Sequence, residues 1–228
     1  MKRMMCLLIS ILLLFCIALT TVNASETEEE ILSVNTALQV DVRAKSCALM
    51  DVNTGTLLMG NNEHEKLYPA SVTKIMALLL VCEALNEGKL TPDMEITCSE
   101  SAAQKGGSQI WLEPGEVFTV NDLLKATVVY SANDACCLLG ETISGSESAF
   151  CELMNKRAAE IGMKNTHFSN CTGLDDDIDD HKTTAYDIAL MSRELLKHDI
   201  IRNYTTIWMD SLRGGATQLV NTNKLIRT

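Results

Sequence analysis

Ser71 and Lys74 are the first residues whose types and spacing suggest chemistry. They lie in the stretch Tyr-Pro-Ala-Ser-Val-Thr-Lys-Ile-Met-Ala-Leu-Leu-Leu, residues 68–80. The apolar run after Lys74 reads as a helix from about Ser71 to Asn86, ending near Gly88. A lysine in a first turn opposes the positive end of the helix dipole, at a cost of roughly 0.3–1 kcal/mol. Residues three apart on a helix share a face, so Lys74 can reach the Ser71 hydroxyl. A serine hydroxyl becomes a nucleophile only beside a base, and lysine is a base only when neutral. The helix N-terminus and apolar neighbours both lower a lysine pKa. Alternatively, Ser71 is an ordinary N-cap and Lys74 extends to solvent. A Ser-x-x-Lys arises by chance about once in a chain of this size, so the pair alone decides little.

A second candidate is Tyr130-Ser131-Ala132-Asn133-Asp134. Ser131 could relay a proton between the lysine and a leaving group, and Asn133 could hydrogen-bond a substrate amide. The competing reading makes Ser131 and Asp134 a capping box for a helix from Asn133 to Thr142. Ser33-Val34-Asn35 has the same Ser-x-Asn spacing in a poorer context.

Together the two segments resemble the serine D-alanyl-D-alanine carboxypeptidases, the low-molecular-weight penicillin-binding proteins. Leu67–Met76 resembles that family's nucleophile segment, Ile110–Glu116 its following loop, and Ser131–Ala135 its second motif. Asn170–Asp175, His181–Ala185 and Asn221–Asn223 resemble its later stretches. The likeness runs from about Ala37 to the end. It implies an α+β fold of the β-lactamase/transpeptidase type, an antiparallel sheet with a helical block. It also implies removal of terminal D-alanine from peptidoglycan stem peptides ending in D-Ala-D-Ala, through an acyl-enzyme on Ser71. Lys74 would accept the proton, Ser131 and Asn133 would complete the relay and substrate contacts, and the Ser71 N–H would form part of an oxyanion hole. β-Lactams would acylate the same serine. No metal or cofactor is implied.

The family's third motif, Lys-Thr-Gly, is absent from this sequence. Lys182-Thr183-Thr184 is the nearest string, and Thr184 with Asp187 reads as the cap of a helix reaching about Lys197. The resemblance places the motif just after Asn221-Thr222-Asn223, so the expectation is a C-terminally truncated domain with an incomplete sheet and, if these residues are the whole product, little or no peptidase turnover. Any hold on the outer face of a membrane would come from the missing C-terminal part. The alternatives are a non-catalytic penicillin-binding-like protein and a class A β-lactamase, against which the second motif speaks, since it reads Ser-Ala-Asn where that class typically has Ser-Asp-Asn.

The surrounding elements follow from composition and patterning. The 228 residues allow one substantial domain, 46% hydrophobic, 21% charged and only 4% aromatic, so the core must be Leu, Ile, Val, Ala and Met. Residues 1–24 read as a signal peptide: Lys2 and Arg3, an apolar run Cys6–Ala18 broken by Ser10, and small residues at Val22-Asn23-Ala24. That run is shorter than the ~20 residues of a membrane span, and Phe15 is too bulky for a lipoprotein site at Cys16. The expected location is therefore extracytoplasmic, at the wall or membrane surface of a bacterium. Residues 25–36 read as a polar linker, and 37–228 as the peptidase domain. The net charge of −11 becomes about −13 without Lys2 and Arg3, which argues against a nucleic-acid partner. Seven of nine cysteines would remain, an odd number with no Cys-x-x-Cys pair, so buried thiols are expected rather than a metal site. Ala44–Met50 and Thr56–Gly60 read as a hairpin around Asn53-Thr54-Gly55. Glu95–Cys98 reads as a short strand, Gly106–Ser108 and Glu113–Glu116 as loops, Val120–Val129 as a helix capped by Thr119 with Asp122, and Glu147–Ile161 as another helix.

Overall fold

The computed structural model describes residues 42–174 and 178–227. The chain divides after Arg43, and all the described strands and helices lie in the unit Ala44–Thr228. The expected signal peptide, the linker, Ser33-Val34-Asn35 and Asp175 lie outside the described residues.

Strands β1 (Cys47–Met50) and β2 (Leu57–Asn61) form an antiparallel hairpin, with Ala48 opposite Gly60 and Leu49 opposite Met59. Its turn is closed by Asp51, whose carboxylate accepts from the Thr54 N–H at 2.6 Å and the Thr54 hydroxyl at 2.7 Å. Gly55, at φ 75°, completes the reversal. Strands β3 (Glu95–Thr97) and β4 (Val117–Thr119) form a second antiparallel pair, and β5 (Met209–Leu212) and β6 (Thr217–Val220) a third. Among the described residues the antiparallel strands therefore occur as three two-stranded ladders.

The helical block has α1 (Lys74–Asn86) at its centre. Met76 to Cys82 and Ala84 are all buried, so this helix is apolar on every face rather than along one stripe. It packs against α4 (Asn133–Ser144), α5 (Glu147–Glu160) and α6 (Ala185–Leu195). The short α2 (Glu100–Ala103), α3 (Val120–Val129) and α7 (Arg202–Thr205) complete the block. Few aromatics are needed: Phe150 and Phe168 fill the core with Leu, Met and Ile. No described helix is long and apolar enough to cross a membrane.

Two expected caps form. The Thr119 hydroxyl accepts the Asp122 N–H and the Thr184 hydroxyl accepts the Asp187 N–H, each at 3.1 Å. Lys182-Thr183-Thr184 is thus a cap, preceded by a bridge in which Leu67 and Thr183 exchange backbone hydrogen bonds of 2.8 and 2.9 Å. That bridge ties the start of α6 to the chain just before Ser71. Two capping readings are corrected. Ser71 caps nothing: it sits in a 3-10 turn, Ala70–Thr73, and the α-helix begins at Lys74 with Thr73 before it. Ser131 and Asp134 form no capping box, because the residue before α4 is Ala132 and has no side-chain cap.

Candidate active site

Lys74, at the first position of α1, is 3% exposed, while Ser71 one turn earlier is exposed. Lys74 Nζ lies 3.1 Å from Ser71 Oγ and donates to the Thr172 carbonyl at 3.0 Å. Burial is the main cause that pushes the Lys74 pKa below its ordinary 10.5. Negative charge on Cys136 or Cys171 would pull it back up. The Cys171 thiol, however, is itself held well above its ordinary 9.0, first by its hydrogen bond with Cys136 and then by burial, so it stays neutral. A neutral lysine keeps one lone pair. With one N–H engaged by the Thr172 carbonyl, a deprotonated Nζ would have its lone pair available to the Ser71 hydroxyl 3.1 Å away.

The carbonyl that holds Lys74 is fixed by a tight approach. Gly173 has φ 80°, and a Cβ built on it would lie 1.7 Å from the Ala70 carbonyl oxygen and 2.8 Å from Thr73 Oγ1. Only glycine lets the loop after Cys171 close against the Ala70–Thr73 turn. The Asn170 side chain ties the loop to itself, accepting from the Gly173 N–H at 2.7 Å. Thr73 is held from the other side by His181, buried beside it. His181 Nδ1 accepts from the Ser169 N–H at 3.0 Å, so Nε2 carries the proton and donates to Thr73 Oγ1 at 2.8 Å.

The second motif sits where the loop before Ile110 meets α4. Asn133, 4% exposed, donates from its side-chain amide to the Gly106 carbonyl at 2.7 Å and from its backbone to the Ser108 carbonyl at 2.6 Å. Its Oδ1 is buried without a hydrogen-bond partner among the described residues. An acceptor left this way normally costs about 1–3 kcal/mol, a cost tolerated where a ligand supplies the donor. A Cβ on Gly107 would come within 2.7 Å of the Asn133 amide nitrogen, which explains why the loop is glycine there. Ser131 is half-buried at φ 61°. Left-handed backbone costs a non-glycine residue roughly 1–2 kcal/mol, and Ala70 at φ 46° carries the same strain beside Ser71. Strain of this kind gathers where surroundings over-determine geometry for function.

The loop at 170–174 serves both motifs. Thr172 holds Lys74, the Cys171 carbonyl accepts from Cys136 Sγ on α4 at 3.4 Å, and Leu174 lines the Gly107 side of Asn133. Among the described residues no hydrogen bond joins Ser131 to Lys74 directly.

Asp134 does what the capping-box reading missed. It is fully buried, and its carboxylate accepts from the Ile110 N–H at 3.1 Å and the Leu112 N–H at 3.0 Å. It also lies in the first turn of α4, where the helix dipole favours an anion. Asp134→Ala is expected to strand both amides and to lower stability by about 2–4 kcal/mol. Urea denaturation checks this as a drop in midpoint at unchanged slope.

A scan against known families matches residues 33–228 to D-alanyl-D-alanine carboxypeptidase, peptidase family S11. The chain belongs to this carboxypeptidase family. Curated S11 relatives include D-alanyl-D-alanine carboxypeptidase DacF of Bacillus subtilis, 48% identical over 187 residues, covering 81% of this chain and 48% of that protein. DacC of Escherichia coli is 37% identical over 197 residues, covering 84% of this chain and 46% of its own length. Among solved structures, penicillin binding protein 6B from Escherichia coli superposes with a TM-score of 0.78 at 31% identity, over 85% of this chain and 62% of that one. Penicillin-Binding Protein D2 from Listeria monocytogenes, solved in an ampicillin-bound form, gives 0.71 at 28% identity, over 82% and 76%. The chain thus spans about half the length of the curated S11 relatives it matches. The α+β transpeptidase-type fold expected from sequence is the fold of these neighbours.

Three contributors had no sequence signal of their own as site residues: the Thr172 carbonyl, the glycine at 173 that lets it approach, and the His181–Thr73 bond. Each lay inside a stretch that resembled the family, but their roles appear only in three dimensions.

Proposed function

We propose that the protein is a serine-type D-Ala-D-Ala carboxypeptidase acting on peptidoglycan stem peptides outside the cytoplasm, exported by residues 1–24. Ser71 Oγ attacks the carbonyl carbon of the penultimate D-alanine while Lys74 Nζ takes its proton. The Ser71 N–H, among the first amides of its turn and so without a partner inside it, stabilises the developing oxyanion. Asn133, two residues after Ser131 in the second motif, hydrogen-bonds the substrate amide. The C–N bond breaks, and terminal D-alanine leaves with a proton passed from Lys74 through the Ser131 hydroxyl. Water, deprotonated by Lys74, then releases the shortened peptide and restores Ser71. β-Lactams acylate the same oxygen. Neither a metal nor a cofactor enters the reaction, and the acidic net charge of −11 disfavours nucleic acid as a partner.

The observation that carries this reading is the buried Lys74, lowered in pKa and 3.1 Å from an exposed serine hydroxyl. Family membership favours it over the class A β-lactamase alternative. Release of D-alanine from diacetyl-Lys-D-Ala-D-Ala, absent in Ser71→Ala, is the expected result. Binding of that peptide with no D-alanine released would favour the non-catalytic alternative.

A further inference from the structure

Trp111 is 72% exposed and sits at φ 59°, a backbone conformation unfavourable for a bulky side chain. A lone exposed apolar residue needs no explanation, but the backbone that carries this one is fixed on both sides. The amides on both sides of it, Ile110 N–H and Leu112 N–H, donate to the buried Asp134 carboxylate. The Arg213 guanidinium then donates to the Ile110 carbonyl at 2.8 Å and to the Trp111 carbonyl at 3.1 Å. Arg213 is clamped in turn by Glu116, at 2.6 and 2.7 Å. An outlier fixed from three directions, presenting an indole to solvent, is the pattern of a preorganised contact surface.

Trp111 lines a concavity of about 330 Å³ together with Tyr130, Gln109, Thr217 and Gln218. Tyr130 directly precedes Ser131, and Gln109 directly follows the Ser108 carbonyl that accepts from Asn133. The concavity therefore adjoins the second motif. Its one charged lining group, Arg213, is already neutralised by Glu116. What remains is two aromatic rings and neutral amide and hydroxyl groups. Such a surface selects a ligand with an apolar face and neutral hydrogen-bonding edges, and gives no reward for a charged peptide terminus. A pyranose ring with hydroxyl and acetamido substituents has that chemistry.

We propose that Trp111, with Tyr130 and the neighbouring glutamines, forms a subsite for an N-acetylated sugar ring of the glycan strand from which the stem peptide hangs. The sugar assignment rests on the carboxypeptidase reading above; the placement of the subsite rests on the geometry of Trp111 itself. It would hold the strand while the peptide reaches Ser71, so that polymeric substrate is gripped at two places.

The test is binding of a peptide-free N-acetylglucosamine tetrasaccharide to the full chain carrying Ser71→Ala, which removes acylation from the measurement. Tryptophan emission and saturation-transfer NMR are followed together. Trp111 and Trp208 are the two tryptophans. A saturable change in emission with matching transfer to the sugar is expected. In Trp111→Ala the emission change should vanish and the Kd by NMR should rise at least ~tenfold; in Gln218→Ala it should rise by less. Equal Kd values for Trp111→Ala and its parent would overturn the proposal. So would a saturable change produced by diacetyl-Lys-D-Ala-D-Ala and not by the tetrasaccharide, which would make the concavity a peptide site. Absence of D-alanine release by the chain with Ser71 intact, with sugar binding preserved in the Ser71→Ala chain, counts against the carboxypeptidase reading alone.

Discussion

Lys74→Ala should slow acylation of Ser71 by about 10²–10⁴-fold, the range that a positioned proton acceptor contributes, while leaving the protein folded. The fold should survive because alanine is the best helix former at that position. Stopped-flow acylation by a chromogenic β-lactam measures the rate, and circular dichroism checks the fold. A companion expectation concerns pH. Burial lowers the Lys74 pKa below 10.5, so the neutral, basic fraction grows as pH rises toward that lowered value. The acylation rate should climb with pH and level off above it, in a window below 10.5. The unfolded chain keeps that proton to about 10.5 while the folded chain sheds it earlier. The native state therefore gains stability as pH rises between the two values, and carries the full burial cost of the charge below both. A rate that falls with rising pH across this window, in a protein still folded, would contradict the role given to Lys74.

Gly173→Ala should be the most damaging single-methyl change in the molecule's active region. The added carbon would sit 1.7 Å from the Ala70 carbonyl oxygen, and neither partner is the free end of a flexible side chain. The loop must retreat, taking with it the Thr172 carbonyl that holds Lys74 and opening the Thr73 side of the turn. A loss of roughly 3 kcal/mol or more is expected, at or above the upper end of the usual range for point changes, together with loss of acylation. The control is Gly145→Ala at the end of α4. Gly145 has a similar φ of 83°, but a Cβ there meets nothing within 4 Å. It should cost only the left-handed backbone strain of about 1–2 kcal/mol and leave acylation intact. Similar losses in the two variants would mean that conformation, and not the contact with Ala70, makes glycine necessary at 173.

Much of the fold was legible because it is local. The Asp51–Gly55 turn, the Thr119 and Thr184 caps and the helices at 74–86, 120–129 and 147–160 each follow from residues within four positions of one another. Ser71 and Lys74 were readable for the same reason. The misreading at Ser131 shows where local rules stop. Ser-x-x-Asp has the spacing of a capping box, yet Asp134 turns toward amides 22 and 24 positions earlier in the chain, and Ser131 takes a strained φ instead of the cap geometry. The hydrogen bond from His181 to Thr73 spans 108 positions, and the one from Lys74 to Thr172 spans 98. The latter ends on a backbone carbonyl, which every residue possesses and no residue type announces.

The most direct test is where a β-lactam attaches. The purified protein is treated with benzylpenicillin, and the adduct is counted by intact mass and located by peptide mapping. One adduct per chain is expected, on Ser71, absent from Ser71→Ala and formed far more slowly in Lys74→Ala. An adduct on any other residue, or one that persists in Ser71→Ala, would contradict Ser71 as the nucleophile and Lys74 as its base.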